Sequence, residues 1–124
     1  MYITVTTFNK YHGPKPLVLD GIVKLVKDPK NAYDAEAIEC EMRYFGKIGY
    51  IANSTNTVVK GTMSAGRIYD KISDEYFAKI KFIVGNVAIA KVLTSDEFIA
   101  EVENPESDVN FLCDNPNAIK LMEE

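Results

Sequence analysis

A small, mainly β barrel of six or seven short strands, with short helices and a helical acidic extension at its C-terminal end, is the fold class this sequence predicts. Three observations carry that expectation. Apolar and polar residues alternate with period two in several short runs. Glycine, proline and asparagine punctuate those runs at close spacing. Near residue 93 the pattern changes to a helical period and the charge turns strongly negative.

Taken in order, "MYITVTTF" alternates Tyr2, Thr4, Thr6 and Phe8 against Ile3, Val5 and Thr7, and is rich in β-formers. "YHGPKP" breaks that strand, because two prolines and a glycine do not fit a paired ladder. "LVLDGIVKLVK" is the next extended run, with Gly21 at a bulge or bend. "KDPKNAYD" is a connection. In "AIECEMRYF", Ile38, Cys40 and Met42 point inward, while Glu39, Glu41 and Arg43 point outward. Gly46 closes a tight link to "KIGYIA". Ser54 is a candidate cap for a short helix that Gly61 would stop. "GRIYDKI" reads as a strand. "YFAKIKFIV" and "VAIAKVL", joined by Gly85-Asn86, read as a β-hairpin.

From Thr94 the period becomes helical. Thr94 and Glu97 fit a capping box. Phe98, Ile99 and Val102 share one helical face, and Asn104-Pro105 ends the helix. Asn115-Pro116 offers a second start, with Ile119, Leu121 and Met122 on its apolar side. The expected division is a barrel over residues 1–93 and an acidic helical extension over 94–124, packed on the same domain.

The totals exclude several function classes. With 124 residues and 47% hydrophobic content the chain fits one ordinary globular domain. No apolar run approaches membrane-spanning length, and the N-terminus lacks a signal-peptide pattern. Cys40 and Cys113 are too few for a disulfide framework. These features predict a reduced, cytoplasmic protein. The net charge of −4 is unevenly spread: residues 1–93 carry 13 Lys and Arg against 9 Asp and Glu, and residues 94–124 carry one lysine against 9 acidic residues. A body at +4 permits a nucleic-acid partner without requiring one. The tail at −8 either screens that body, covers a barrel edge or forms a homodimer contact.

No phosphate loop, nucleophile elbow or Cys-x-x-Cys pair is present. His12 is the sole histidine and has no ligand set beside it, so no metal site is expected. Glu39 and Glu41 share a strand face, as metal ligands do, but their alternation with apolar residues accounts for them as an exposed face. The expectation is a protein that is not an enzyme and uses no cofactor.

One stretch is more specific than the rest. "LVKDPKNAYDAEAIECEMRYFGKIGYIAN" resembles the HIRAN domain family, through Asp28-Pro29, Asn31, Tyr33-Asp34, Ala37-Ile38, Gly46 and Ile48-Gly49-Tyr50. "FNKYHG" is similar to the exit of that family's first strand. The resemblance covers roughly residues 1–93. It implies an OB-like or SH3-like barrel that binds single-stranded DNA and captures its 3′ end, in DNA repair or replication-fork processing. It places Tyr33 and Asp34 as the stacking ring and the acceptor for a terminal hydroxyl, with Tyr50, Tyr11 and Lys10 beside them. Family members that bind 3′ ends carry an arginine and a tyrosine where this chain has Asn9 and Lys10, and a basic residue where it has Asn53. Read from the residues alone, Tyr33-Asp34 serves equally as a structural turn. The alternative function is a protein-interaction module that has lost DNA binding.

Overall fold

The computed structural model describes residues 1–121 as a closed six-stranded antiparallel barrel. The strands are β1 (Tyr2–Thr7), β2 (Ile22–Lys27), β3 (Ile38–Met42), β4 (Gly46–Ile51), β5 (Glu75–Val84) and β6 (Val87–Val92). Their order around the barrel is β1-β4-β3-β2-β5-β6, and β6 pairs back onto β1 to close it. Full closure leaves no unpaired edge in the circuit. The expectation that the tail covers a barrel edge is therefore corrected.

Period-two burial appears where the alternation predicts it. Ile38, Cys40 and Met42 are buried, and Glu39 and Glu41 only half-buried. The β5–β6 turn is the expected Gly85-Asn86 pair, with Gly85 at φ +60° and Val84 opposite Val87. β1 departs from simple alternation. Thr4 is fully buried because the loop after β4 folds over it, bringing Thr62 Oγ1 within 2.8 Å of Thr4 Oγ1.

β1 and β4 approach each other unusually closely. A Cβ at Gly49 would sit 1.8 Å from the Thr6 carbonyl oxygen, so this position admits glycine alone. The β3–β4 register slips at Cys40/Glu41, where Cys40 faces Gly49 and Glu41 faces Lys47. The extra residue, Ile48, bulges on β4, and this lets Lys47 and Tyr50 both stay half-exposed while Ile48 and Ile51 are buried.

Two expectations fail between β4 and β5. "GRIYDKI" is not a strand: Ala65–Ile68 form α1 and Tyr69–Lys71 a 3-10 turn. Ser64 caps α1 by accepting from the Arg67 N–H, and Ala65, Ile68 and Ile72 are buried at helical spacing. Ser54 starts only a single turn, closed by Val58 N–H to its carbonyl at 2.9 Å. Threonine and valine in that segment do not sustain a helix.

In the extension, α2 (Ser95–Glu103) has the full capping box of Thr94 and Glu97. Phe98 is buried and stacks on Phe77 at 6.0 Å, but Ile99 is exposed rather than sharing that face inward. A second helix, α3 (Val109–Leu112), was not expected, and the segment after Asn115 is only a 3-10 turn, Pro116–Ala118. Phe98, Val109 and Ile119 belong to the same buried cluster as the barrel core. Met122 lies outside the described residues. Among the described residues, four tail carboxylates pair with barrel cations: Glu97 with Lys91, Glu101 with Lys79, Asp108 with Arg43 and Asp114 with Lys24. Both cysteines are free. Among the described residues no helix is long and apolar enough to cross a membrane.

Candidate nucleic-acid interface

The connection between β2 and β3 is built by its own side chains. Asn31 Oδ1 accepts from the backbone N–H groups of Tyr33 (2.9 Å) and Asp34 (3.1 Å), and its Nδ2 donates to Asp28 (3.1 Å). Asp34 Oδ1 accepts from the Glu36 N–H at 2.9 Å, and the Asp28 N–H donates to the Ala37 carbonyl to close the loop. Short polar side chains that imitate backbone turns are the reason Asn and Asp recur in such connections. The result leaves the Tyr33 side chain standing free, with the residue 99% exposed. Tyr33 therefore does not cover the barrel, as the purely structural reading of the pair would have it.

Asn53, just past β4, ties this turn to the rest of the molecule. Its Nδ2 donates to Asp34 Oδ2 at 2.6 Å, and its Oδ1 accepts from the Gly66 N–H of α1 at 2.8 Å. The sequence reading marks Asn53 as a missing base. The structure gives it a job that a lysine or arginine cannot do in full, because neither side chain has an acceptor for the Gly66 N–H.

A pocket of about 540 Å3 opens between this turn and the β1–β4 end of the barrel. Tyr33, Asp34, Tyr50 and Lys10 line it, together with Phe8, Asn31 and Asn53. Four of the five residues singled out from the sequence thus share one cavity. The fifth, Tyr11, is not among the lining residues. It sits beside them, edge-on to Phe8 at 6.2 Å between ring centroids. Phe8 in turn packs 6.0 Å from Tyr50.

Lys47 is the residue that sequence reasoning missed. Its Nζ donates to Tyr50 Oη (2.5 Å) and to Glu39 (3.0 Å), and lies over the rings of Tyr50 and Tyr11 at 4.4 and 5.2 Å. Burial alone would lower its pKa, but hydrogen bonds to Tyr50, Glu39 and Tyr11 outweigh that and hold the ammonium above its ordinary range. Lys47 stays charged and holds Tyr50 at the pocket wall and Tyr11 beside it. The available signal was its place three residues before Tyr50, but the β4 bulge that turns both side chains outward was not legible.

The chemistry this arrangement supports is recognition without covalent change. Flat rings offer stacking surfaces, lysines offer phosphate contacts, and Asp34 offers an acceptor. Among the described residues no cluster of three His, Cys, Asp or Glu has the geometry of a metal site. Burial pushes the Cys40 thiol well above its usual range, so it is no nucleophile.

The HIRAN domain family model matches residues 1–79. The chain belongs to the HIRAN domain family. The crystal structure of the HIRAN domain of human HLTF is similar to it, with a TM-score of 0.51 and 16% sequence identity over 73% of this chain and 69% of that one. At that identity the likeness establishes the shared barrel fold. No curated protein matches the chain. The HIRAN domain is a nucleic-acid-binding module, not itself catalytic, and membership supports nucleic acid as the class of partner here. The family match ends inside β5, so β6, α2 and α3 lie beyond it.

Proposed function

We propose that this HIRAN domain binds single-stranded DNA without enzymatic activity and receives its 3′ end in the Tyr33–Asp34 pocket. The observation that carries this reading is the pairing of a fully exposed Tyr33 ring with the half-buried Asp34 carboxylate on the rim of a pocket walled by Phe8 and Tyr50. A base stacks on an exposed ring without regard to sequence. The carboxylate accepts a hydrogen bond from a terminal hydroxyl and repels an internal phosphate, so it favours an end over a continuous strand. Lys10 adds a cation at the pocket wall, forming no ion pair among the described residues. A module of this kind fits the processing of DNA ends in repair or at a stalled fork. Residues 1–93 would carry the binding function and the extension would support it.

Fluorescence anisotropy with labelled oligonucleotides tests the reading. Strands with a free 3′-hydroxyl should bind more tightly than the same strands with a 3′-phosphate, and Asp34→Asn should narrow that difference. Absence of binding at low salt would reject it in favour of a protein-interaction module.

A further inference from the structure

A line of aromatic side chains leaves the pocket along the outer face of β4. Phe8 and Tyr50 stand in the pocket, Tyr11 contacts Phe8, and the loop then lays His12 edge-on to Phe45 at 5.1 Å, with His12 Nε2 2.9 Å from the Phe45 carbonyl oxygen. Phe45 belongs to the β3–β4 hairpin, and the next residue back is Tyr44. From Tyr50 to Gly46 the strand covers about 13 Å at 3.3 Å per residue, roughly four stacked base steps of 3.4 Å.

Tyr44 is unusual on three counts. It is 86% exposed, although it is a large aromatic. Its backbone is held at φ +75°, a region that costs a non-glycine residue conformational energy. Its ring is propped from one side: the Arg43 guanidinium lies 4.6 Å from the ring centroid. Arg43 is itself fixed from the extension, 3.3 Å from the Phe111 ring centroid and 3.1 Å from Asp108. A strained, exposed ring held upright by a clamped cation is prepared to receive a flat partner on its open face. The partner that the surroundings fit is a nucleobase, since Lys10 and Lys47 both lie 5.2 Å from the Tyr11 ring, beside the pocket, and Lys10, with no ion pair among the described residues, favours a phosphate backbone there.

We propose that Tyr44 is a second base-stacking platform, which engages the strand several nucleotides away from the end held in the pocket, and that the C-terminal extension orients it through Arg43. This inference rests on the proposed single-strand reading and extends it from an end pocket to a track.

Two oligothymidylates separate the cases: one of about three nucleotides, which fills the pocket alone, and one of about ten, within the usual site size of single-strand binders. The variant is Tyr44→Gly, which removes the ring at a position whose φ suits glycine and so does not endanger folding. The long strand should bind the wild type more tightly than the short one, and Tyr44→Gly should weaken the long strand roughly 5- to 100-fold while leaving the short one unchanged. Tyr44→Phe should retain the advantage, and Phe111→Ala should lose part of it. A long strand that binds no better than the short one, or is indifferent to Tyr44→Gly, overturns the track while the pocket reading stands. Failure of the wild type to bind either strand overturns both. Loss of a stoichiometric protein partner in Tyr44→Gly, with both strands bound as before, overturns the track in favour of protein docking.

Discussion

Asn53 donates a 2.6 Å hydrogen bond to the Asp34 carboxylate and accepts one from the Gly66 N–H, so a single amide joins the Tyr33 turn to α1. Asn53→Ala leaves both partners without that contact. It should cost about 1–3 kcal/mol of stability, the usual penalty for stranding half-buried hydrogen-bonding groups. Urea denaturation measures this. Asn53→Asp should be worse than alanine, because it sets a second carboxylate against Asp34.

Tyr33 contributes almost nothing to folding, given its exposure, so Tyr33→Ala should change stability by less than about 0.5 kcal/mol. In the proposed function it loses a stacking surface, and affinity for a 3′-hydroxyl strand should fall by about 1–3 kcal/mol. Unchanged anisotropy titrations for this variant would remove Tyr33 from the site.

Lys47→Met keeps the length of the side chain but releases Tyr50 and Tyr11 and leaves Glu39 without its ion pair. Affinity should fall, and the tyrosine fluorescence of the free protein should change as the two rings gain freedom. Lys10→Met, by contrast, should weaken binding uniformly across sequences and lower the salt dependence.

Gly49→Ala tests the β1–β4 approach. The added Cβ meets the Thr6 carbonyl oxygen at 1.8 Å, and backbone on both sides is held by barrel pairing. The expected result is a loss of at least about 3 kcal/mol, as for severe overpacking. A thermal melt within a few degrees of wild type would contradict it.

The α2 cap makes an acid-dependent prediction. The Thr94 backbone N–H first, and the Lys91 ammonium second, hold the Glu97 carboxyl below its ordinary range. A lowered carboxylate pKa stabilises the fold above the ordinary Glu value and ceases to do so as pH drops through the lowered one. Glu97→Gln, which removes the charge, should therefore be less stable than wild type at neutral pH, and that gap should shrink on acidification. Melting temperatures from pH 7 down to pH 3 check the sign.

Much of this fold was legible because its signals are local. The alternation of Ile38, Cys40 and Met42, the Gly85-Asn86 turn and the Thr94–Glu97 box each need only neighbouring residues. The segment 66–72 was misread because its isoleucines and tyrosine favour strands, while the helical signal lay in the Ser64 cap and the spacing of Ala65, Ile68 and Ile72. At the site, Tyr33, Asp34 and Tyr50 came from the family resemblance. Lys47 did not, since its role depends on a bulge and on a loop from the other end of β1. Asn53 was legible only as a departure; what it holds lies 13 and 19 residues away.

The closure of the barrel also sets an order in time. β1, first of the six barrel strands in chain order, finds its partners in β4 and in β6, the sixth. While the ribosome is still short of residue 92, β2, β3 and β4 have each other, but β1 lacks one neighbour. Phe8, which follows β1, is a wall of the pocket. Contacts of such long sequence separation form slowly and late. The β1–β6 seam is thus the last part of the barrel to form, and the pocket, lined by no residue of β5 or β6, does not wait for it.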